Sequence, residues 1–342
     1  MPSDRHRTSA QCRARTCARR EGPRRKWSKG VAICVLASFL FAGCGSATKS
    51  TASTAHSPAS TAAASHSQPT ATKAQTIDGY QAIDATVSTA TGGTRSYIVF
   101  PPPSGAKQSP LVLVYHGALA TAEGTVQETD FVQLAQKDGY VVAFLQGYGD
   151  TWNEGAGNTP AHAAGVNDVE FTSAVLSQIE SRYSIDRTRV AAAGFSNGAL
   201  LADLLGCQLA GKLTLIAPVA GPLPVSVSPT CRPARPISVL AFNGTADQSI
   251  PYGGGHFEGI GGGTTVLSAP ESAARWAALD HCSHSRQSTE SALATVLTTY
   301  SLCRQHVVVQ LRSLQGAGHG WPSDVGVLVA EFLHQHPRAV AK

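Results

Sequence analysis

The sequence predicts an α/β fold, a mostly parallel sheet covered by helices on both faces. Three observations carry that prediction. Segments of strand and helix character alternate along the chain at the spacing of repeated strand–helix units. Two of the strand segments, 111–115 and 140–145, are unbroken apolar runs, as expected of strands buried on both faces. A third, 190–193, passes without a linker into Gly194-Phe195-Ser196-Asn197-Gly198 and then into a helical pattern. Such a strand–turn–helix junction is tight enough that Gly194 and Gly198 must be small.

The chain begins with what reads as an export signal. Arg/Lys-rich residues 5–29 lead into the apolar run 31–43, which is too short to cross a bilayer as an ordinary helix. The run ends in Leu40-Phe41-Ala42-Gly43-Cys44. This resembles the bacterial lipobox, although Phe41 stands where an aliphatic residue is usual. The resemblance implies cleavage after residue 43 and a lipidated Cys44, tethering the protein to the outer face of the cell membrane. The formal charge of +5 is a property of this leader: residues 1–43 hold ten Lys/Arg and two Asp/Glu, leaving 17 basic against 20 acidic residues beyond it. A basic nucleic-acid-binding face is therefore not expected. Residues 44–76 are mostly Ala, Ser and Thr without apolar periodicity. They read as a disordered tether with an r.m.s. reach of roughly 30 Å. The folded domain is expected over 77–342.

Within it, 83–87 and 95–100 alternate as two antiparallel strands, and Pro101-Pro102-Pro103 stops the second. Strand 111–115 follows, then a helix over 129–138 and strand 140–145. Helix 168–183 carries Phe171, Val175, Leu176 and Ile179 on one stripe. The junction strand 190–193 and its helix 196–209 come next, with strands over 213–219 and 237–242. A helix over 269–279, a strand over 306–314 and a helix over 325–334 complete the domain. The runs 253–255 and 261–263 are all glycine. No lysine or helix start follows them as a phosphate loop requires, so they read as a mobile loop near the site.

Of eight cysteines, Cys12, Cys17 and Cys34 lie in the leader and Cys44 at its end. Cys207, Cys231, Cys282 and Cys303 remain, an even number that in an exported domain implies disulfides. Cys207–Cys231 and Cys282–Cys303 are the favoured pairs, because each closes a short loop between neighbouring elements. A zinc site using His281, Cys282 and His284 is the rival. It lacks a Cys-x-x-Cys pair, and no metal or other cofactor is expected.

The chemistry is read from three loops. A serine hydroxyl is a poor nucleophile until a base takes its proton, and that base needs an orienting carboxylate. On a sheet of this kind the partners follow later strands in the order Ser, Asp/Glu, His. Asp247 lies in Asn243-Gly244-Thr245-Ala246-Asp247 after strand 237–242, and His319 lies in Gly318-His319-Gly320-Trp321-Pro322 after strand 306–314. Ser196, Asp247 and His319 are therefore the candidate nucleophile, acid and base. Backbone N–H groups of Asn197 and of Ala118, with Leu119 as the alternative to Ala118, are the expected oxyanion donors. His116 is read as a loop-fixing residue, and Trp152 and Trp321 as candidate substrate contacts.

Together, Tyr115-His116-Gly117, the Ser196 turn, the Asp247 loop with Ile250-Pro251-Tyr252, and the His319 loop resemble the esterase/polyhydroxybutyrate depolymerase family. That family is related to the feruloyl and acetylxylan esterases of carbohydrate esterase family 1 and includes LpqC-type lipoprotein esterases. The segment from Thr151-Trp152-Asn153 to Val166-Asn167-Asp168 also resembles it, with Asn167 where the family often has Asp. The likeness spans roughly 80–335. It implies an α/β-hydrolase fold, an ester substrate, no metal, and Ser196, Asp247 and His319 as the reacting set. Two other functions share these features: acyl transfer, separable by acceptor competition, and a non-catalytic surface lipoprotein, for which a decayed triad is expected.

Overall fold

A computed structural model describes residues 71–339, apart from 78, 158 and 291–293. The leader, Cys44 and residues 45–70 of the expected tether lie outside the described residues. The described residues belong to one compact unit. Three strands come first: β1 (Ala71–Ile77), β2 (Tyr80–Thr89) and β3 (Gly93–Phe100). Then follow β4 (Ser109–Tyr115), α1 (Ala122–Glu128), α2 (Phe131–Lys137), β5 (Val141–Leu145), α3 (Pro160–Ala163), α4 (Asp168–Arg182), β6 (Ile185–Phe195) and α5 (Asn197–Leu209). The second half holds β7 (Leu215–Val219), β8 (Ser238–Gly244), β9 (Gly255–Gly259), β10 (Gly262–Val266), α6 (Ala269–Leu279), β11 (His284–Glu290), β12 (Thr295–Ser301), β13 (Val309–Leu314) and α7 (Val325–Gln335).

The main sheet has the order β1-β2-β3-β5-β4-β6-β7-β8-β13-β12-β11. Its centre, β5-β4-β6-β7-β8-β13, is parallel, and antiparallel strands extend both edges. Because side chains alternate across a strand, the apolar runs feed two separate cores. Leu111, Leu113 and Tyr115 pack with Phe171 of α4, Leu205 of α5 and Trp276 of α6. Val112 and Val114 pack on the other face with Val126 of α1, Phe131 of α2 and Val329 of α7. Burial on both sides explains why these strands lack polar alternation.

Four expectations change. Residues 71–76, assigned to the tether, form strand β1 on β2 together with Ile77, so the domain starts before residue 77. An edge strand is held by backbone hydrogen bonds and needs no apolar face, which is why its composition read as disorder. The helix expected over 129–138 is α2, and an additional helix, α1, precedes it across a break at Thr129 and Asp130. The Asp130 carboxylate accepts from Gly326 and Val327 N–H at 2.6 and 3.2 Å, tying this break to the start of α7. The strand placed at 306–314 begins at Val309, after a 3-10 turn over Arg304–His306. Finally, the glycine-rich 253–263 stretch is not simply a loop, for it opens the antiparallel hairpin β9–β10.

Candidate active site

Ser196 sits between β6 and α5 with φ 54° and ψ −118°. Positive φ is costly for a residue with a side chain, and here the surrounding packing imposes it. A Cβ on Gly194 would lie 2.0 Å from the Gly198 carbonyl oxygen. A Cβ on Gly198 would lie 2.5 Å from the Tyr115 oxygen of β4. Both positions therefore require glycine, and strand and helix approach closely enough to lift the Ser196 side chain clear of the sheet.

His319 and Asp247 arrive on neighbouring loops. Gly244, at the end of β8, touches the chain after β13: a Cβ there would lie 2.3 Å from the Ala317 oxygen. Ala246 N–H donates to Ala317 at 3.0 Å, Thr245 N–H to Leu314 at 2.9 Å, and Gly316 N–H to the Thr245 hydroxyl at 2.9 Å. These bonds stitch the two loops together. His319 Nε2 is 2.9 Å from Ser196 Oγ, and its Nδ1 is 2.7 Å from Asp247 Oδ2. The other carboxylate oxygen, Oδ1, accepts from Ser249 and Ile250 N–H at 2.8 and 3.0 Å. Burial alone would raise the Asp247 pKa. The His319 hydrogen bond and the two backbone donors outweigh it and hold the carboxyl below its ordinary value. The structure thus brings the three predicted residues together as one hydrogen-bonded path.

The loop after β4 faces the same point. Leu119 N–H donates to the Asp150 carbonyl at 2.9 Å, which removes it as an oxyanion donor and leaves Ala118. Ala118 and Asn197 both border the cavity at Ser196. His116 fixes this loop: its Nε2 accepts from Gly147 N–H at 2.9 Å, and its Nδ1 lies 2.6 Å from the Gly117 carbonyl as donor. Burial lowers the His116 pKa, favouring the neutral ring that this pattern needs.

Trp152 is not a substrate contact. It is fully buried, and its Nε1–H donates to the His116 carbonyl at 2.8 Å. Its own N–H and carbonyl pair with the Asn197 side chain at 2.7 and 3.3 Å. It therefore packs beneath the site, joining the loop of His116 to Asn197 at the start of α5. Trp321 does not line the cavity either. Half-buried, it lies against Phe195 and Phe131, with centroids 5.4 and 6.0 Å apart, while Phe195 also stacks near the His319 ring at 4.7 Å. The place of Trp321 beside His319, and of Trp152 on a glycine-rich loop, gave no sign of which face either would take.

A cavity of about 490 Å³ opens at Ser196, walled by Leu200 of α5, the Ile250–Pro251 turn and the β9–β10 hairpin with Phe257 and Ile260. Glu154 also lines it, a residue that sequence reasoning passed over. It is 1% exposed, and burial pushes its carboxyl up to about 7. The Glu154 N–H and the Asn197 amide, near the carboxyl but outside hydrogen-bonding geometry, oppose that rise, and the Asp168 carboxylate adds a smaller push in the same direction as burial. Asp168 itself is paired with Arg95 at 2.8 Å and accepts from Asn153 N–H at 2.7 Å, fixing the loop that carries Glu154. Asn167 caps α4 by accepting from Glu170 N–H at 3.0 Å.

Cys207 is bonded to Cys231 and Cys282 to Cys303, the favoured pairing, so Cys282 is not free to serve as a zinc ligand.

No protein-family model matches the chain. Among curated proteins it is similar to feruloyl esterase B of Piromyces equi, with 32% identity over 224 residues, 63% of this chain and 40% of the relative. It is also similar to the bifunctional acetylxylan esterase/xylanase XynS20E of Neocallimastix patriciarum, with 29% identity over 161 residues, 47% of this chain and 22% of the relative. The chain thus spans less than half the length of either relative. Among solved structures it resembles the acetyl xylan esterase from Aspergillus awamori, with a TM-score of 0.54 and 13% identity over 73% of this chain and 98% of that one. The chain has the α/β-hydrolase fold, and its curated relatives are carboxylic ester hydrolases.

Proposed function

We propose that the protein is an exported serine esterase that cleaves carboxylic esters through Ser196, His319 and Asp247. The observation that carries this reading is the unbroken path of 2.9 and 2.7 Å from the serine hydroxyl through the imidazole to the carboxylate. Ser196 Oγ attacks the ester carbonyl while His319 Nε2 takes its proton, and Asp247 stabilises the imidazolium. The negative oxygen that develops is met by the N–H groups of Ala118 and Asn197. His319 then protonates the departing alcohol, and water, deprotonated by the same imidazole, releases the acid from Ser196. No step calls for a cofactor. The feruloyl and acetylxylan esterase relatives support acylated plant-polysaccharide esters as the first substrates to try, and the sequence motifs add hydroxyalkanoate esters. Hydrolysis of p-nitrophenyl acetate and butyrate tests the reaction. Ser196→Ala is expected to lower kcat by at least about 10³-fold, and equal rates from the two proteins would end the esterase reading.

Export is supported by the two disulfides, which belong to oxidising compartments. Anchoring through a lipid on Cys44 is the accompanying reading from the leader. In a bacterial host, Cys44→Ala is expected to move the protein from the membrane fraction to the medium; an unchanged distribution counts against the anchor.

A further inference from the structure

Glu154 has no part in the reaction described above, yet the loop that carries it is fixed on three sides. Asn153 N–H donates to Asp168, Trp152 N–H to Asn197, and the Thr159 hydroxyl to the Trp152 carbonyl at 2.9 Å. The Glu154 side chain is buried, and neither carboxyl oxygen has a hydrogen-bond partner. Buried polar groups are normally paired, because an unpaired one forfeits its hydration without return. Asp203 and Asp280 also leave an oxygen unpaired, but each keeps the other bonded, to Trp276 Nε1–H and to Ile237 N–H. Glu154 keeps neither, and it alone of the three borders the cavity that opens at Ser196.

The walls of that cavity say which part of an ester fills it. Ala118 and Asn197, the oxyanion donors, form part of the wall, and Leu200 lies beyond them. His319, which must reach the oxygen of the departing alcohol, is not part of it. On the esterase reading the alcohol leaves on the imidazole side and the cavity receives the acyl chain. We propose that Glu154 determines acyl specificity: its unpaired carboxyl hydrogen-bonds a hydroxyl on the acyl part of the ester, so that hydroxyl-bearing acyl groups are taken in preference to hydrocarbon groups of the same shape. The assignment of the cavity to the acyl part rests on the esterase reading.

The charges around Glu154 agree with this role. Asp168, behind its loop, is engaged by Arg95, and across the cavity His256 and Glu258 of the hairpin lie 3.1 Å apart and pair with each other. With its pKa near 7, Glu154 is largely a neutral acid in mildly acidic solution. In that form it can both donate to and accept from a hydroxyl, and it puts no negative charge beside the developing oxyanion.

The test uses matched p-nitrophenyl esters that differ by one hydroxyl: butyrate against 3-hydroxybutyrate, and 3-phenylpropanoate against 3-(4-hydroxyphenyl)propanoate. At pH 6 the wild-type protein is expected to favour the hydroxylated member of at least one pair by about tenfold or more in kcat/KM. Glu154→Leu is expected to bring that ratio close to one, chiefly through KM. Glu154→Gln, close in size and able to hydrogen-bond, is expected to keep the ratio and to lose its decline as pH rises through 7. A wild-type ratio near one in both pairs, or a ratio that Glu154→Leu leaves intact, overturns the proposal. If Glu154→Leu does not fold, the Glu154→Gln pH profile decides alone: a decline that persists in the variant overturns it. Calorimetric binding of the two phenylpropanoate methyl esters to the Ser196→Ala protein separates the two readings, since it needs no turnover. Preference for the hydroxylated ester there supports the Glu154 site even if no ester is hydrolysed, and its absence sinks the site even if esters are.

Discussion

Asp247 and Asp203 show how one residue type takes opposite states inside one domain. Both are buried, so both lose hydration of the charged form. Asp247 regains it from three donors, His319 and the backbone of Ser249 and Ile250, and its pKa falls below the ordinary value. Asp203 has one donor, Trp276, and burial pushes it up to about 8. Asp203 is also the more deeply enclosed of the two, so depth of burial and the number of hydrogen-bond donors together decide which carboxyl remains ionised. An ionised Asp247 is what the proposed mechanism needs, because the imidazole beside it becomes positive when it takes the serine proton. Asp247→Asn keeps the size and removes the charge, and its amide group can force the wrong ring tautomer on His319. The expected result is a fall in kcat of about 10³–10⁴-fold at pH 7 with circular dichroism unchanged. A loss under tenfold would mean that Asp247 merely props the loop.

At the scale of elements, legibility in the sequence followed the cause of each element. The central strands were readable because burial on both faces leaves an apolar run, and the Ser196 junction was readable because Gly194 and Gly198 answer to steric limits at fixed spacing. The order of the Ser196, Asp247 and His319 loops followed from those strands, so the three side chains that the structure joins by hydrogen bonds were legible before any distance was known. β1 and the β11–β12 pair were not, since His284–Glu290 is nearly all exposed and polar and owes its form to backbone pairing with β12. The hairpin β9–β10 was hidden for a related reason: four of its ten residues are glycine, yet Val266 packs with Ile250 and Leu200 and Val225 N–H bonds Thr265 at 2.9 Å. Contacts from outside the segment make it a wall of the cavity. The same holds for Trp152, whose burial depends on partners at His116 and Asn197 that lie 36 and 45 positions away. Glu154 gave no signal because a lone glutamate in a polar loop is ordinary until its surroundings are known.

Across the whole molecule the buried carboxyls set how stability answers to pH. Burial raises Glu154 to about 7, Asp280 to about 7 and Asp203 to about 8. In the unfolded chain each titrates near 4, so between about 4 and 8 the folded state holds more protons than the unfolded one. Stability then falls as pH rises across that window and levels off above it. Asp186 and Asp247 act the other way, because their lowered pKa values favour the folded state only above the unfolded value and lose that contribution as the solution is acidified below about 4. The two trends place greatest stability in mildly acidic solution. A tenfold change in proton affinity is worth about 1.4 kcal/mol, and about 1 kcal/mol moves the melting point of a domain this large by roughly 2–4 °C. With three groups displaced, Tm is expected to drop by about 20 °C or more between pH 5 and pH 9. Glu154→Gln and Asp280→Asn should flatten the part of the curve near pH 7, and Asp203→Asn the part near pH 8, where the Trp276 bond can pass to the amide oxygen. Scanning calorimetry at matched ionic strength checks this. A Tm that is level or rises from pH 5 to 9, or a triple variant with the wild-type slope, would show that these carboxyls meet water or a counter-charge in the folded protein.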